Sequence, residues 1–569
     1  MSDAARSPEV RFEAPGPGTW VADGTHWPRP LTRFVGKAYT DSFSKGFKEG
    51  SARYGLLLSH FEAVLINDFW YHQPVPVAVP RRAAQGTPPR LVFQRLLRLH
   101  PALRKRIRSA RLTFERRIWR EDLRRWDEEA KPRSIKAHKQ IQAVDPSTLG
   151  TSALCEHVRR CRAHLEYMMY QHHRFTMPAC IPVGDFLAHA SAWTELTTGE
   201  LLRCLTGASP ISAGIATAKL GALGRAVRAD SKARKLVDEG GAGSAALEAL
   251  QRWPGPLGEA AREYIDEVGF RGLGYDVCDP YVLELPDVLL TALRSEVEQT
   301  QRADPEDATE QHTQAVREKV PEALRVQFDG LLAEARLVHR LRDERGVYSD
   351  GWASGLARRA VLAAGKRLEQ SGTLAEAALA VDASCDELVD LLQGRQGPSS
   401  DELRARAQWR TTRSAADNPA WLGTPPAPPL PLQWLPPDAR RVTAAIGIYI
   451  DGVLGDSEKD TSKQEIRGVP ASPGTREGRA RVIFNQQDLK RVQSGDILVT
   501  RSTSPYFNFV LPLLCGIVTE RGGQLSHAAI ISREYGIPGV VGTQDATQRI
   551  PDGARIRIDG TRGEVTILP

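Results

Sequence analysis

The chain has 569 residues, 41% hydrophobic and 25% charged, with a net charge of +7. That length calls for about two to four domains of a soluble globular protein. No run approaches the roughly 20 apolar residues of a membrane span, the opening MSDAARSPEV lacks an apolar signal core, and seven scattered cysteines show neither CxxC nor CxxH spacing. These features point to a cytoplasmic protein with reduced thiols and away from a membrane, secreted, disulfide-framed or zinc-finger class.

Most of residues 35–415 carries helical rather than strand periodicity. The first distinctive stretch, RLVFQRLLRLHPALRKRIRSARLTFERRIWREDLRRWDEEAKPR (90–133), is rich in arginine. It fits either a phosphate-contacting surface for nucleic acid or a helical hairpin whose arginines are solvated or paired with Glu115, Glu121 and Asp122. No nucleic-acid motif accompanies the charge, which favours the hairpin. Helices are expected around 151–170, 197–206, 244–252 and 321–342, and LARRAVLAAGKRLEQSGTLAEAALAV (356–381) repeats apolar residues at three- and four-residue spacing. DASCDELVDLLQG (382–394) reads as a short capped helix ending at Gly394. GGAGS (240–244) is the one glycine-rich candidate for a nucleotide loop; it lacks the Lys-Ser/Thr of a P-loop and more simply joins two helices.

The composition then changes. LGTPPAPPLPLQWLPPD (422–438) reads as an extended proline-rich connector, ARRVTAAIGIYID as a last helix, and GVLGDSEKDTSKQEIR (452–467) as a polar linker. A free coil of that length would span roughly 20–25 Å and, fully drawn out, about 50 Å. From Gly468 onward short β-branched runs alternate with turns: RARVIF, GDILVT, CGIVTE, GVVGT, ARIRIDG and EVTIL are the expected strands and SHAAIISREYG the expected helix. The reading is a multidomain chain: a large, mainly α-helical region over 1–421, a connector over 422–467, and a C-terminal β/α domain over 468–569.

Within that domain, TERGGQLSHAAIISREYGIPGVVGT (519–543) places His527 at the first turn of a helix, behind a glycine pair and the N-cap residue Ser526. Free backbone N–H groups and the helix dipole favour phosphate there, and a neutral imidazole is available as a nucleophile. No second ligand stands three or four residues away, so a metal site is not expected.

The same stretch, together with GVPASPGTREGRARVI (468–483) and GDILVTRSTSP (495–505), closely resembles the swivelling phosphohistidine domain of the phosphoenolpyruvate-utilising family, which includes phosphoenolpyruvate synthase, pyruvate phosphate dikinase and rifampicin phosphotransferase. The resemblance implies that His527 accepts and donates a phosphoryl group, that Gly522, Gly523 and Ser526 shape its loop, and that Thr503 and Arg533 are candidate phosphate contacts. Leu525 stands where the dikinases carry a regulatory threonine, so that control is not expected. About 26 residues follow Thr543, too few for a barrel acceptor domain.

FEAPGPGTWVADGTHWPRPLTRF (12–34), RGLGYDVCDPYVLELPDVLL (271–290) and HRLRDERGVYSDGWASGLARR (339–359) look similar to the acceptor-binding region of rifampicin-phosphotransferase-like proteins, with no ATP-grasp domain before them. The layout also resembles the histidine-bearing subunit of phenylphosphate synthase. It implies a phosphotransferase working with a separate ATP-grasp protein that uses ATP and Mg2+, and a hydroxylated small-molecule acceptor, activated in one variant for later dehydration. The alternative is a non-catalytic phosphocarrier or ligand-binding protein; neither membrane nor nucleic acid is an expected partner. Arg342, Asp343 and Arg345 are candidate substrate contacts, and His60, His72 and His339 candidate bases.

Overall fold

A computed structural model describes residues 10–78, 88–209, 217–239, 241–298, 305–454, 466–484, 486–503, 507 and 510–569. The large N-terminal region is mainly helical and the C-terminal domain is built on a sheet. Long helices Gly36–Tyr54, Thr151–Arg174, Thr176–Thr194, Arg325–His339 and Asp350–Gln370 form the centre of the helical region. The helix expected to run through 356–381 stops at Gln370, because Gly372 (φ +73°) turns the chain. Cys385–Leu392 begins at the Ser384–Glu387 capping box and is followed by Gly394 at φ +70°.

One stretch of 35–415 departs from the helical expectation. Leu58–Ile66 and Phe69–Pro76 form an antiparallel hairpin that continues through Thr19–Ala22 to Trp421–Gly423, making a four-stranded sheet. Asn67 and Asp68 turn the hairpin with φ of 52° and 65°, the pair of positive angles that a type I′ turn requires. The first residues of the proline-rich connector thus form an edge strand, with Trp20 opposite Leu422.

The arginine-rich stretch forms helices Arg90–Leu99, Pro101–Glu115 and Ile118–Arg125. Arg111 pairs with Glu115 at 2.5 Å and Arg125 with Glu121 and Asp122 at 3.6 and 3.8 Å, and these last two also meet Arg53 at 3.0 and 2.9 Å. Arg117 and Arg120 reach the buried Glu334 at 2.7 and 2.5 Å, and Trp119 Nε1 donates to it at 2.7 Å. In the GGAGS stretch, Gly240 lies outside the described residues, and the Gly243 N–H donates to Asp287 at 2.7 Å as the helix Gly243–Gln251 begins. That donor is already satisfied within the chain.

The helix Pro437–Leu454 is part of the helical core rather than a spacer. It crosses Thr176–Thr194 at Gly184, where a Cβ would lie 1.9 Å from the Ala445 carbonyl oxygen, so only glycine permits this approach. The stretch read as a linker begins within this helix and ends in a strand, and its residues 455–465 lie outside the described residues.

The C-terminal sheet has eight strands in the order Ile466–Arg467, Glu564–Ile567, Arg555–Asp559, Thr475–Ile483, Asp496–Thr500, Leu514–Thr519, Gly539–Val541, Val469–Ser472. The middle four strands from Thr475 to Val541 are mutually parallel and the flanking pairs antiparallel. All six strands expected from sequence are present; the two short ones before them were not anticipated. Those two are separated by Gly468 alone yet pair with opposite edges, so residues 466–472 close the sheet on itself. A Cβ at Gly468 would stand 2.5 Å from the Val541 carbonyl oxygen. One face of this domain shares a continuous apolar core with helices between Thr217 and Glu298, and Leu525 and Ile530 join the core of the central helices.

Candidate functional site

Strand Leu514–Thr519 delivers the chain to Gly522, which takes φ +105°, and the loop then enters helix His527–Glu534. Ser526 Oγ accepts from the Ala529 N–H at 3.3 Å, capping that helix, and Gly536 at φ +62° lets the chain leave it. The loop is held from outside as well. Gly523 and Leu525 N–H groups donate to the Val453 and Gly452 carbonyls at 3.1 and 2.6 Å, satisfying the last carbonyls of helix Pro437–Leu454.

His527 is 9% exposed, and burial depresses its pKa to about 3, so the ring is neutral. Nδ1 lies 3.0 Å from Thr503 Oγ1, while the buried Nε2 has no hydrogen-bond partner among the described residues. An unpaired buried nitrogen is costly, and such groups mark places where something else is meant to bind. Arg342 and Asp343, both from helix Leu341–Val347, lie within electrostatic reach of the ring.

The other residues singled out from sequence fall into three groups. Gly522, Gly523, Ser526 and Thr503 surround His527. Arg533 is buried and donates to the Ala471 and Gln524 carbonyls at 2.8 and 2.7 Å, bracing the loop against the closing strand. Arg342 donates to Asp343 at 3.4 Å, Asp343 accepts from Ser209 Oγ at 3.3 Å, and Arg345 donates to the His172 carbonyl and Thr176 Oγ1 at 3.1 and 3.0 Å. His339 is buried near Asp343 and Arg342, and burial brings its pKa to about 4. His72 stands by Asp23 and His26, whereas His60 lies on the hairpin beside Ser59, its Nδ1 3.1 Å from Ser59 Oγ.

Several groups here are not among the candidate site residues read from the sequence. His172 Nδ1 meets Asp350 Oδ1 at 2.6 Å, and burial raises the Asp350 carboxyl to about 7. His26 Nδ1 meets Asp23 Oδ2 at 2.9 Å. Phe43 and Phe47 pack on His173 with ring centroids 4.7 and 5.5 Å away, and Phe61 packs on His72 at 5.3 Å, giving the charged cluster an aromatic side. Arg345 Nε, His72 Nδ1 and His173 Nδ1 are buried without partners among the described residues. The segments 12–34, 271–290 and 339–359, far apart in sequence, meet here: Asp23 and His26 come from the first, Tyr275 from the second and Arg342 to Asp350 from the third. Among the described residues no group of three or more His, Cys, Asp or Glu side chains is arranged to hold a metal ion, and no helix is long and apolar enough to cross a membrane.

Residues 492–563 match the PEP-utilising enzyme mobile domain. The matched span holds the His527 loop and the parallel strands from Asp496 to Val541. Similarity to curated relatives reaches beyond the mobile domain. A rifampicin phosphotransferase of Streptomyces sviceus is 31% identical over 336 residues, 57% of this chain and 36% of that protein. An uncharacterized phosphotransferase of Bacillus subtilis is 29% identical over 316 residues, covering 54% of this chain and 36% of that protein. Phosphoenolpyruvate synthase of Aeropyrum pernix is 46% identical over 101 residues, 18% of this chain and 12% of that protein. The chain thus spans little more than a third of the length of the first two relatives, at 36% of each.

Proposed function

We propose that this chain is a phosphotransferase component. His527 Nε2 takes a phosphoryl group from an ATP-grasp protein that uses ATP and Mg2+, and passes it to a hydroxyl of a small molecule held in the helical region. The observation that carries the reading is the neutral Nε2 at a helix start, without a partner among the described residues and within electrostatic reach of Arg342 and Asp343. With the proton on Nδ1 and donated to Thr503 Oγ1, Nε2 keeps its lone pair for phosphorus. Helix-terminal N–H groups and Arg342 then offset the charge of the transferred group, which is where phosphoryl-transfer catalysis does most of its work. The names of the curated relatives, phosphotransferases among them, support the same class of reaction.

Intact mass after incubation with Mg-ATP and a candidate ATP-grasp protein tests it. One added phosphoryl group on the wild type, absent from His527→Ala, is the expected result. No uptake from any such donor overturns the reading. Uptake that is never discharged to any hydroxyl moves the protein to the phosphocarrier alternative.

A further inference from the structure

A hydroxyl that attacks a phosphohistidine must lose its proton, and the site as described assigns no group to receive it. Four of the histidines at the cluster are poorly placed. His339 is buried, and His72 and His173 are half-buried, each with a buried Nδ1 that has no partner among the described residues. His172 also has a carboxylate on Nδ1, Asp350 at 2.6 Å, but only 14% of its side chain is exposed, and burial holds its pKa far below the ordinary range.

His26 differs on each count. It sits in the loop after strand Thr19–Ala22, where Asp23 Oδ1 accepts from the backbone N–H groups of Thr25 and His26 at 3.2 and 3.0 Å. The carboxylate is thereby fixed by its own turn and aimed at His26 Nδ1. Of its side chain 46% remains accessible, and Nδ1 is held by Asp23 while Nε2 has no hydrogen-bond partner among the described residues. Arg342 lies within electrostatic reach of both His26 and His527. The loop that carries His527 also touches this turn directly: Arg521 donates to the Gly24 carbonyl and feels the charge of Asp23.

We propose that His26, oriented by Asp23, is the general base that accepts the proton of the acceptor hydroxyl. The proposal rests on the phosphohistidine reading and adds the acceptor half of the reaction. As the hydroxyl oxygen bonds to phosphorus, its proton passes to His26 Nε2, the bond from phosphorus to His527 Nε2 breaks, and that electron pair stays on His527. Asp23 remains ionised and steadies the imidazolium. Such a base is needed for an alcohol or phenol, which carries its proton at neutral pH, and not for an already ionised carboxylate or enolate. It is seated against the phosphohistidine loop by Arg521, so the base and the phosphoryl group come together when the mobile domain is docked. The groups facing His26 are Asp23, His72, His172, His173, Arg342 and Arg345. Asp23 is the largest influence and raises the His26 pKa, against burial and the two arginines.

The full chain phosphorylated at His527 with phosphoramidate, a chemical donor to histidine, allows a test that needs no identified acceptor. Loss of the phosphoryl group to water, and to ethanol or phenol as probe hydroxyls, is followed by intact mass from pH 5.5 to 9. The wild-type rate is expected to rise with pH through an inflection above 6.5 and level off. His26→Gln should take up phosphoryl normally, lose the inflection and fall by about 10²-fold on the plateau. Asp23→Asn, which keeps the ring, should move the inflection to lower pH. Identical profiles for wild type and His26→Gln overturn the base, as does an inflection unmoved by Asp23→Asn. If the wild type takes up no phosphoryl group at His527, the carrier reading itself fails, which is a different result from an unchanged profile.

Discussion

The two faces of the proposed site are built in different ways. The His527 face is one continuous loop and helix, Thr519 to Gly536, capped by its own Ser526 and held from outside by the Gly452 and Val453 carbonyls. The acceptor face is gathered from Asp23, His26, His172, Arg342, Arg345 and Asp350, which meet only when the sheet, the central helices and the connector have packed. The difference shows that chemistry on a contiguous turn survives as a motif, while a pocket assembled from distant segments is specified mainly through tertiary contacts.

The comparison breaks most visibly at Arg342. If the acceptor face supplies the charge neutralisation, Arg342→Ala should slow discharge of phosphorylated His527 by about 10²- to 10³-fold while leaving uptake from the donor unchanged. Equal loss of both steps, measured by intact mass, would place Arg342 with the phosphohistidine loop instead. Glu334 tests whether the acceptor face depends on remote scaffolding. It is buried and bonded to Arg117, Arg120 and Trp119, so Glu334→Ala should cost about 3 kcal/mol in urea unfolding without altering phosphoryl uptake by folded protein.

Protonation sharpens the contrast within the docked mobile domain. Burial raises Glu534, which accepts from the Gly207 N–H, from 4.5 to about 7, and lowers His527 from 6.5 to about 3. Between pH 4.5 and 6.5 the folded chain thus holds a proton on Glu534 that the unfolded chain lacks, and lacks one on His527 that the unfolded chain holds. The Glu534 contribution makes stability fall as pH rises through about 7, and the His527 contribution makes it rise until it is fully present above 6.5. Glu534→Gln should therefore turn the slope of unfolding free energy against pH more positive by up to ~1.4 kcal/mol per unit, and His527→Gln should turn it more negative by as much. Three parallel slopes would mean that neither group is buried in solution. The smallest effect expected is that of Ser526→Ala, about 1 kcal/mol from loss of one helix cap, read as a small shift in the urea midpoint.

The loop and helix around His527 were legible in detail because glycine, cap and helix signals all lie within one short window. The six C-terminal strands were legible from their β-branched runs. The hairpin at 58–76 was not, although Asn67-Asp68 is a hairpin turn signal, because helical periodicity on both sides dominated the reading. Strands 466–467 and 469–472 are too short to show alternation and exist through their partners. On the acceptor face, Arg342, Asp343 and Arg345 were visible as a charged run, but nothing local to Asp23 and His26 indicates that they meet helix Leu341–Val347 some 300 residues on.

The segment that joins both edges of the C-terminal sheet has a consequence for how the protein is made. Residues 466–472 leave the ribosome before every strand they pair with, and one of those partners is Glu564–Ile567. This domain therefore has to wait, unclosed, until nearly a hundred further residues have been synthesised, while the helices before Thr217 have already found one another. Long-range closure of this kind is slow and exposes apolar strands in the meantime. The helices between Thr217 and Glu298 that share its apolar core are by then already synthesised and available to cover those strands.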